Sequence, residues 1–432
     1  MVDPFLPDAD KVAALREALP ATAAGTYLDT ATAGPLPSEV VAAGREVEDW
    51  DLRTGRAGEG QQDETLQRLD ETRAVLAALI GADPKEVALT NGTAQGIAAA
   101  IWATEWRPGD RVLASDGLSD AAMAAVVGVV GRMGLELDMV AGSIHADDAA
   151  AVGLVGDAIR TGTRSVVLPH VAPRSGASWP VARAASTIHE RGAWLVVDGS
   201  HAAGALPLDM EAIGADAYAF DSHHWLLGPE GLGALWIGER MRHEGRVAVA
   251  GPLGFETLLP EGWGRQWPDA RRFETGPFHR PSVVAFGRAV GWLEMYVGLP
   301  WLYQRIARLA ESLADGLADL PGVAMLTPRE RLAGIVTFRI EGWTPEEALD
   351  ELARRAFAMA CVVAAPDGIR LSIGAFNTEQ ELARIMEVVA ELARYTPATL
   401  PRRPSLVVLQ QGASPSSHEP PPEAGPSDAE AT

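Results

Sequence analysis

Three histidines and two aspartates fall in two short runs, and their side chains suit proton transfer or metal binding. Asp198 closes the apolar run Trp194-Leu195-Val196-Val197-Asp198 and leads into Gly199-Ser200-His201. Further on, Phe220-Asp221-Ser222-His223-His224-Trp225 carries a carboxylate and two adjacent imidazoles. An imidazole titrates near neutral pH and shuttles protons there. Imidazoles with carboxylates also suit Zn²⁺ or Fe²⁺, which makes His201, His223, His224, Asp198 and Asp221 an alternative metal cluster. Against it, adjacent residues on an extended segment point apart, so the expected metal complement is none. Thr93, in Thr90-Asn91-Gly92-Thr93-Ala94-Gln95-Gly96, opens a helical pattern whose terminal N–H groups favour an anion. Amine chemistry is poorly served, because Lys11 and Lys85 are the only lysines. A Schiff base needs a primary amine, and imidazole cannot form one.

These residues need a scaffold that brings them together. From Glu86 onward short β-rich runs alternate with helical patterns. Strands are predicted at Val87–Thr90, Arg111–Ala114, Ser165–Pro169, Trp194–Asp198, Ala217–Phe220 and Ala234–Ile237. Helices are predicted at Thr93–Ala103, Asp120–Met133, Asp147–Thr161 and Val181–Arg191. This is an α/β pattern: a mostly parallel sheet with helices on both faces. Ligands of such sheets sit beyond the carboxyl ends of the strands, where Asp198 and Asp221 fall. Upstream, Ser38 reads as the N-cap of a helix towards Trp50, and Gly81 as the C′ residue of a helix over Asp63–Ile80. The Pro/Gly/Trp-rich stretch Gly251 to Pro277 reads as a crossing into a smaller α+β C-terminal domain. The division is an entry segment at 1–24, a large domain at 25–255, a small domain at 256–398 and a tail at 399–432. The tail, rich in Pro, Ser, Gly and Glu, is expected to be disordered.

A formal charge of −22 opposes binding to nucleic acid or an anionic membrane surface. No apolar stretch is long enough to span a bilayer. Cys361 is the only cysteine, which excludes an intrachain disulfide and fits a reducing, cytoplasmic setting.

The run Phe220 to Gly233, with Tyr27-Leu28-Asp29, Asp198-Gly199-Ser200-His201, Arg272-Phe273-Glu274, Arg370-Leu371-Ser372 and Asn377-Thr378, closely resembles the class-V aminotransferase-fold family, in order and over about residues 25 to 395. That family comprises fold-type I pyridoxal phosphate (PLP) enzymes such as cysteine desulfurases and isopenicillin N epimerase-like proteins. The resemblance implies that Asp198 pairs with the pyridinium nitrogen and that His201 lies near the ring hydroxyl. His223 keeps its family counterpart, Thr93 stands in the phosphate turn, and Arg370 clamps a substrate carboxylate. A helix cap for Asp198 and an interdomain salt bridge for Arg370 are the structural alternatives. The resemblance also implies a homodimer and a small amino-acid-like ligand.

The departures weigh more. His224 stands where the family's Schiff-base lysine belongs. Ala94 replaces a phosphate-binding hydroxyl, Asp221 a phosphate-binding Ser or Thr, and Pro277 a threonine that reaches the partner's phosphate. Ser119 replaces the ring that stacks on the cofactor, and Pro173 an asparagine. No cofactor is expected to be bound covalently. One reading is a catalytically lapsed or repurposed homologue. A second is an enzyme that holds PLP or its amine form, PMP, non-covalently, with His224 as general base acting on an amino acid or amino sugar. Cysteine desulfurase chemistry is set aside, because Cys361 falls in a predicted strand and no thiol follows before Gly368.

Overall fold

The computed structural model describes residues 8–57, 60–142 and 147–401. From residue 402 on, the tail expected to be disordered lies outside the described residues. The chain opens with α1 (Asp8–Ala18), β1 (Thr26–Tyr27), α2 (Ser38–Thr54) and α3 (Gln61–Leu79). An alternating series follows: β2 (Val87–Thr90), α4 (Thr93–Trp102), β3 (Arg111–Ser115), α5 (Asp120–Met133), β4 (Glu136–Val140), α6 (Asp148–Ala158), β5 (Thr163–Pro169) and α7 (Val181–Glu190). It ends with β6 (Trp194–Asp198), α8 (Met210–Ile213), β7 (Ala217–Asp221), β8 (Gly233–Ile237) and α9 (Glu239–Glu244).

Among the described residues, seven strands form one sheet in the order β2-β8-β7-β6-β5-β3-β4. The run from β4 to β7 is parallel, and β8 is antiparallel to both of its neighbours. The two-residue period of the strands feeds two cores. Val166, Leu168, Leu195, Val197, Tyr218 and Phe220 face one; Val112, Val167, Val196, Ala219 and Leu235 face the other. Burial on both faces is why β5 and β6 read as nearly continuous apolar runs. Strand β4 was not predicted. It is a sheet edge with only Val140 buried, and Glu136 and Asp138 break its apolar pattern.

Past the hairpin β9 (Phe255–Leu258) and β10 (Gly264–Gln266) come α10 (Arg280–Trp292), α11 (Leu299–Ala318), β11 (Val323–Met325) and β12 (Ile335–Ile340). The last elements are α12 (Pro345–Ala356), β13 (Ala358–Met359), β14 (Cys361–Val363), β15 (Gly368–Ser372) and α13 (Glu379–Leu392). An antiparallel sheet, β11-β12-β15-β14, carries the smaller lobe. Its core joins residues from Leu309 to Leu392 with Leu28 of the entry segment. The expected boundary after residue 255 precedes α10, whose Phe286, Val290 and Trp292 pack into the core of the large lobe.

Two local expectations part company. Gly81 takes φ +65 just beyond α3, as a C′ glycine should. Ser38, in contrast, is the first helical residue of α2; extended Pro37 holds the cap position and no side chain bonds there.

Phe286 is completely buried where α10 meets the large core. Phe286→Ala is expected to lower the unfolding free energy by about 3–5 kcal/mol. Urea denaturation followed by circular dichroism measures it, and a loss below about 1 kcal/mol would mean that α10 does not belong to this core.

Candidate functional site

A cleft of about 820 Å³ opens at the carboxyl ends of β6 and β7, between the large sheet and β14–β15 of the small lobe. Thr93, His201, His223, His224, Asp221 and Arg370 line it, and Asp198 lies directly beneath, bonded to wall residues Ser119 and Ser200. The topology thus gathers every residue singled out in the sequence.

Asp221 ends β7 and points its carboxylate at the start of α4, where Oδ1 accepts from the Thr93 N–H at 2.8 Å. Gly92 makes this approach feasible. Its φ is +130, and a Cβ there would stand 2.7 Å from Asp221 Oδ1. The anion that the helix terminus favours is therefore the chain's own carboxylate. The Thr93 and Ser200 hydroxyls are hydrogen-bonded to each other at 3.1 Å.

Asp198 is buried and its oxygens are shared between two serines. Oδ2 accepts from Ser119 Oγ at 2.5 Å and Ser119 N at 3.2 Å. Oδ1 accepts from Ser200 N at 3.1 Å and from the Ser200 hydroxyl. Ser119 also caps α5, its Oγ accepting from the Ala122 N–H. The sequence did not expose this link. Ser119 before Asp120-Ala121-Ala122 does carry an N-cap signature.

The three imidazoles form a small stack. The His201 and His224 rings are 4.5 Å apart at 28°, and those of His223 and His224 are 4.1 Å apart at 45°. The expectation that the adjacent histidines point apart is corrected. The chain leaves strand geometry after Asp221 and bends through residues 222–226, so the two-residue alternation no longer holds. Gly34 N–H donating to the His223 carbonyl at 2.7 Å, and Trp225 Nε1 donating to the Ile373 carbonyl at 2.8 Å, pin this bend. His201 Nε2 lies 3.1 Å from the Ala31 carbonyl. Nδ1 of His201, His223 and His224 is buried without a hydrogen-bond partner.

Arg370 projects from β15. Its guanidinium donates to Asp29 Oδ1 at 2.9 Å and Thr32 Oγ1 at 2.6 Å, while Nε has no partner. The fork is thus partly spent on an ion pair to the entry segment. Neither lysine lines the cleft: Lys11 lies over the Trp301 ring at 4.4 Å, and Lys85 sits in an exposed turn. Cys361, placed in a strand by the sequence, is indeed in β14, but it also forms part of the cleft wall, which its position in the sequence does not reveal.

Burial holds the His201 imidazole down to about 4. Burial, reinforced by His201, His223 and Arg370, holds His224 well below its ordinary range. Both are neutral in the folded chain at pH 7, and titrate near 6.5 when unfolded. Between those values only the unfolded chain takes up protons, so acid favours unfolding. For His201 the stabilising contribution is complete above about pH 6.5 and is lost as the pH falls towards 4; His224 acts in the same direction. The urea midpoint is expected to drop between about pH 7 and about pH 5, and to drop less in His201→Phe. Equal slopes for the two proteins would refute the assignment.

The aminotransferase class-V family model matches residues 26–385. A probable cysteine desulfurase of Methanothermobacter thermautotrophicus is 24% identical over 396 residues, covering 88% of this chain and 97% of its own. A cysteine desulfurase of Cronobacter sakazakii is 28% identical over 393 residues, covering 85% and 93%. Among solved structures, a mutant of the C-DES protein with glycine covalently linked to its PLP cofactor superposes with a TM-score of 0.81. It shares 24% identity and covers 87% of this chain and 98% of its own. The apo cysteine desulfurase of Thermococcus onnurineus NA1 gives 0.78 at 22% identity, covering 91% and 100%. With the match spanning both lobes and the cleft between them, the chain belongs to the class-V aminotransferase family.

Proposed function

We propose that this chain has left the PLP chemistry of its family and keeps the fold as a catalytically lapsed or repurposed homologue. The observation that carries this reading is the Asp221 carboxylate on the Thr93 N–H, in the turn where the cofactor's phosphate belongs. A phosphate oxygen about 4 Å from that carboxylate meets about 4 kcal/mol of repulsion per unit charge at the effective dielectric of a protein surface. The helix terminus returns at most about 2 kcal/mol, so repulsion wins.

Other features point the same way. His224 stands at the lysine position of the motif, and the cleft wall holds no lysine. Asp198 is already bonded through both oxygens by Ser119 and Ser200. The residues present do not fit PLP. Persulfide chemistry on Cys361 fails for the same reason, since it relies on that cofactor.

A second reading keeps PLP or PMP bound without a covalent tie, with His224 as general base towards an amino acid or amino sugar. In its favour stands a neutral, buried imidazole with an unpartnered Nδ1 in the cleft wall. In either case the chain is read as a homodimer, a reading supported by Leu258, Leu259 and Trp263, exposed around the β9–β10 hairpin.

Titration of the purified protein with PLP, with and without borohydride, tests the proposal. Neither saturable ring absorbance nor a reducible adduct is expected. Saturable binding without an adduct, with turnover abolished in His224→Ala, would establish the second reading instead. A reducible adduct at Lys11 or Lys85 would overturn both.

A further inference from the structure

We infer that Asp221, His223 and His224 bind a first-row divalent metal ion of the Zn²⁺ type, with an open coordination position facing the cleft. This deepens the proposed function, since it rests on the pocket having left PLP.

The three side chains each offer one donor atom, and those atoms lie within 4.8 Å of one another. His224 Nε2 is 3.8 Å from Asp221 Oδ2. Metal–ligand distances of about 2.0–2.2 Å place donors of a tetrahedral site about 3.5 Å apart. Small side-chain rotations therefore close the set, without movement of the backbone. Two imidazoles and one carboxylate suit zinc or ferrous iron, whereas magnesium and calcium prefer all-oxygen sites.

A second observation is independent of this spacing. His224 is more than nine-tenths buried, and its Nδ1, like that of neighbouring His223, has no hydrogen-bond partner. A buried nitrogen left unmatched is costly, and an ion coordinated through it relieves that cost; on His224 the nitrogen facing Asp221 is Nε2, so the relief falls to the Nδ1 of His223.

The outer contacts are of the kind that orient ligands. Thr93 N–H fixes Asp221 Oδ1, which leaves Oδ2 turned towards His224. His201 stacks on the His224 ring at 4.5 Å. The bend 222–226 is held by Gly34 and Trp225, so the two imidazoles share one side of the chain. Three protein ligands leave a fourth position for water or a ligand, as in catalytic rather than structural zinc sites. Arg174 and Arg370 line the same cleft, so an anionic co-ligand suits that position.

The test is titration of the metal-stripped full chain with Zn²⁺ by calorimetry, and with Co²⁺ as a visible-absorbing substitute. One ion per chain is expected, with a Co²⁺ absorption band of a nitrogen- and oxygen-ligated site. His223→Ala and His224→Ala should each weaken binding at least about tenfold. Asp221→Asn keeps an acceptor for the Thr93 N–H and is expected to weaken binding without unfolding the chain. His243→Ala, on an exposed histidine outside the cleft, should leave binding unchanged. No stoichiometric ion, or one retained in the folded His223→Ala/His224→Ala double variant, overturns the metal site. Saturable PLP binding to the same sample would instead overturn the reading on which the site rests.

Discussion

The interaction on which the site depends is the hydrogen bond from the Thr93 N–H to the Asp221 carboxylate. It joins the end of β7 to the start of α4 at the mouth of the cleft. A helix N-terminus is an anion site by construction, with oriented N–H groups and a partial positive charge. When the anion is a side chain, the site is filled from within, and any second anion meets repulsion instead of attraction. Gly92 belongs to the same device, because only a residue without Cβ lets the carboxylate come so close.

The same internal closure recurs across the cleft floor. Asp198 is satisfied by Ser119 and Ser200, and Ser200 passes the network on to Thr93. Arg370 is held by Asp29 and Thr32. These groups are tied to one another, as buried polar groups require. The imidazoles and the Arg370 Nε are the exceptions. Nδ1 of each of the three rings stays unmatched, and Nε2 of His224 stands 3.8 Å from Asp221 Oδ2.

The fold was legible wherever burial imposed a period. Strands β5, β6 and β7 are buried on both faces and are read from their apolar runs, and α5 and α7 from their helical spacing. The edge strand β4 and the hairpin β9–β10 are not, because charged residues interrupt the apolar run of β4 and the hairpin is short and lies in the Pro/Gly/Trp-rich stretch. At the site, residue identities and their convergence beyond the strand ends followed from motif order. Side-chain direction did not. Whether Asp221 reaches Thr93, and whether two adjacent histidines face one another, depends on where β7 stops being a strand, and a one-residue difference in that boundary reverses the answer. Cys361 shows the same limit: its strand was recognised, and its place in the cleft wall was not.

Charge gives the changes a common direction. His224 carries an imidazole that burial keeps neutral, and the start of α4 carries the fixed Asp221 carboxylate. On the function proposed above, the pocket supplies an anion and two lone-pair donors where a PLP site receives an anion. The donor atoms of Asp221, His223 and His224 lie within 4.8 Å of each other, and Asp221 has one oxygen held by the helix and the other left towards His224. It is the arrangement a cation needs, since a carboxylate that is both anchored and half-free binds an ion without losing its own orientation.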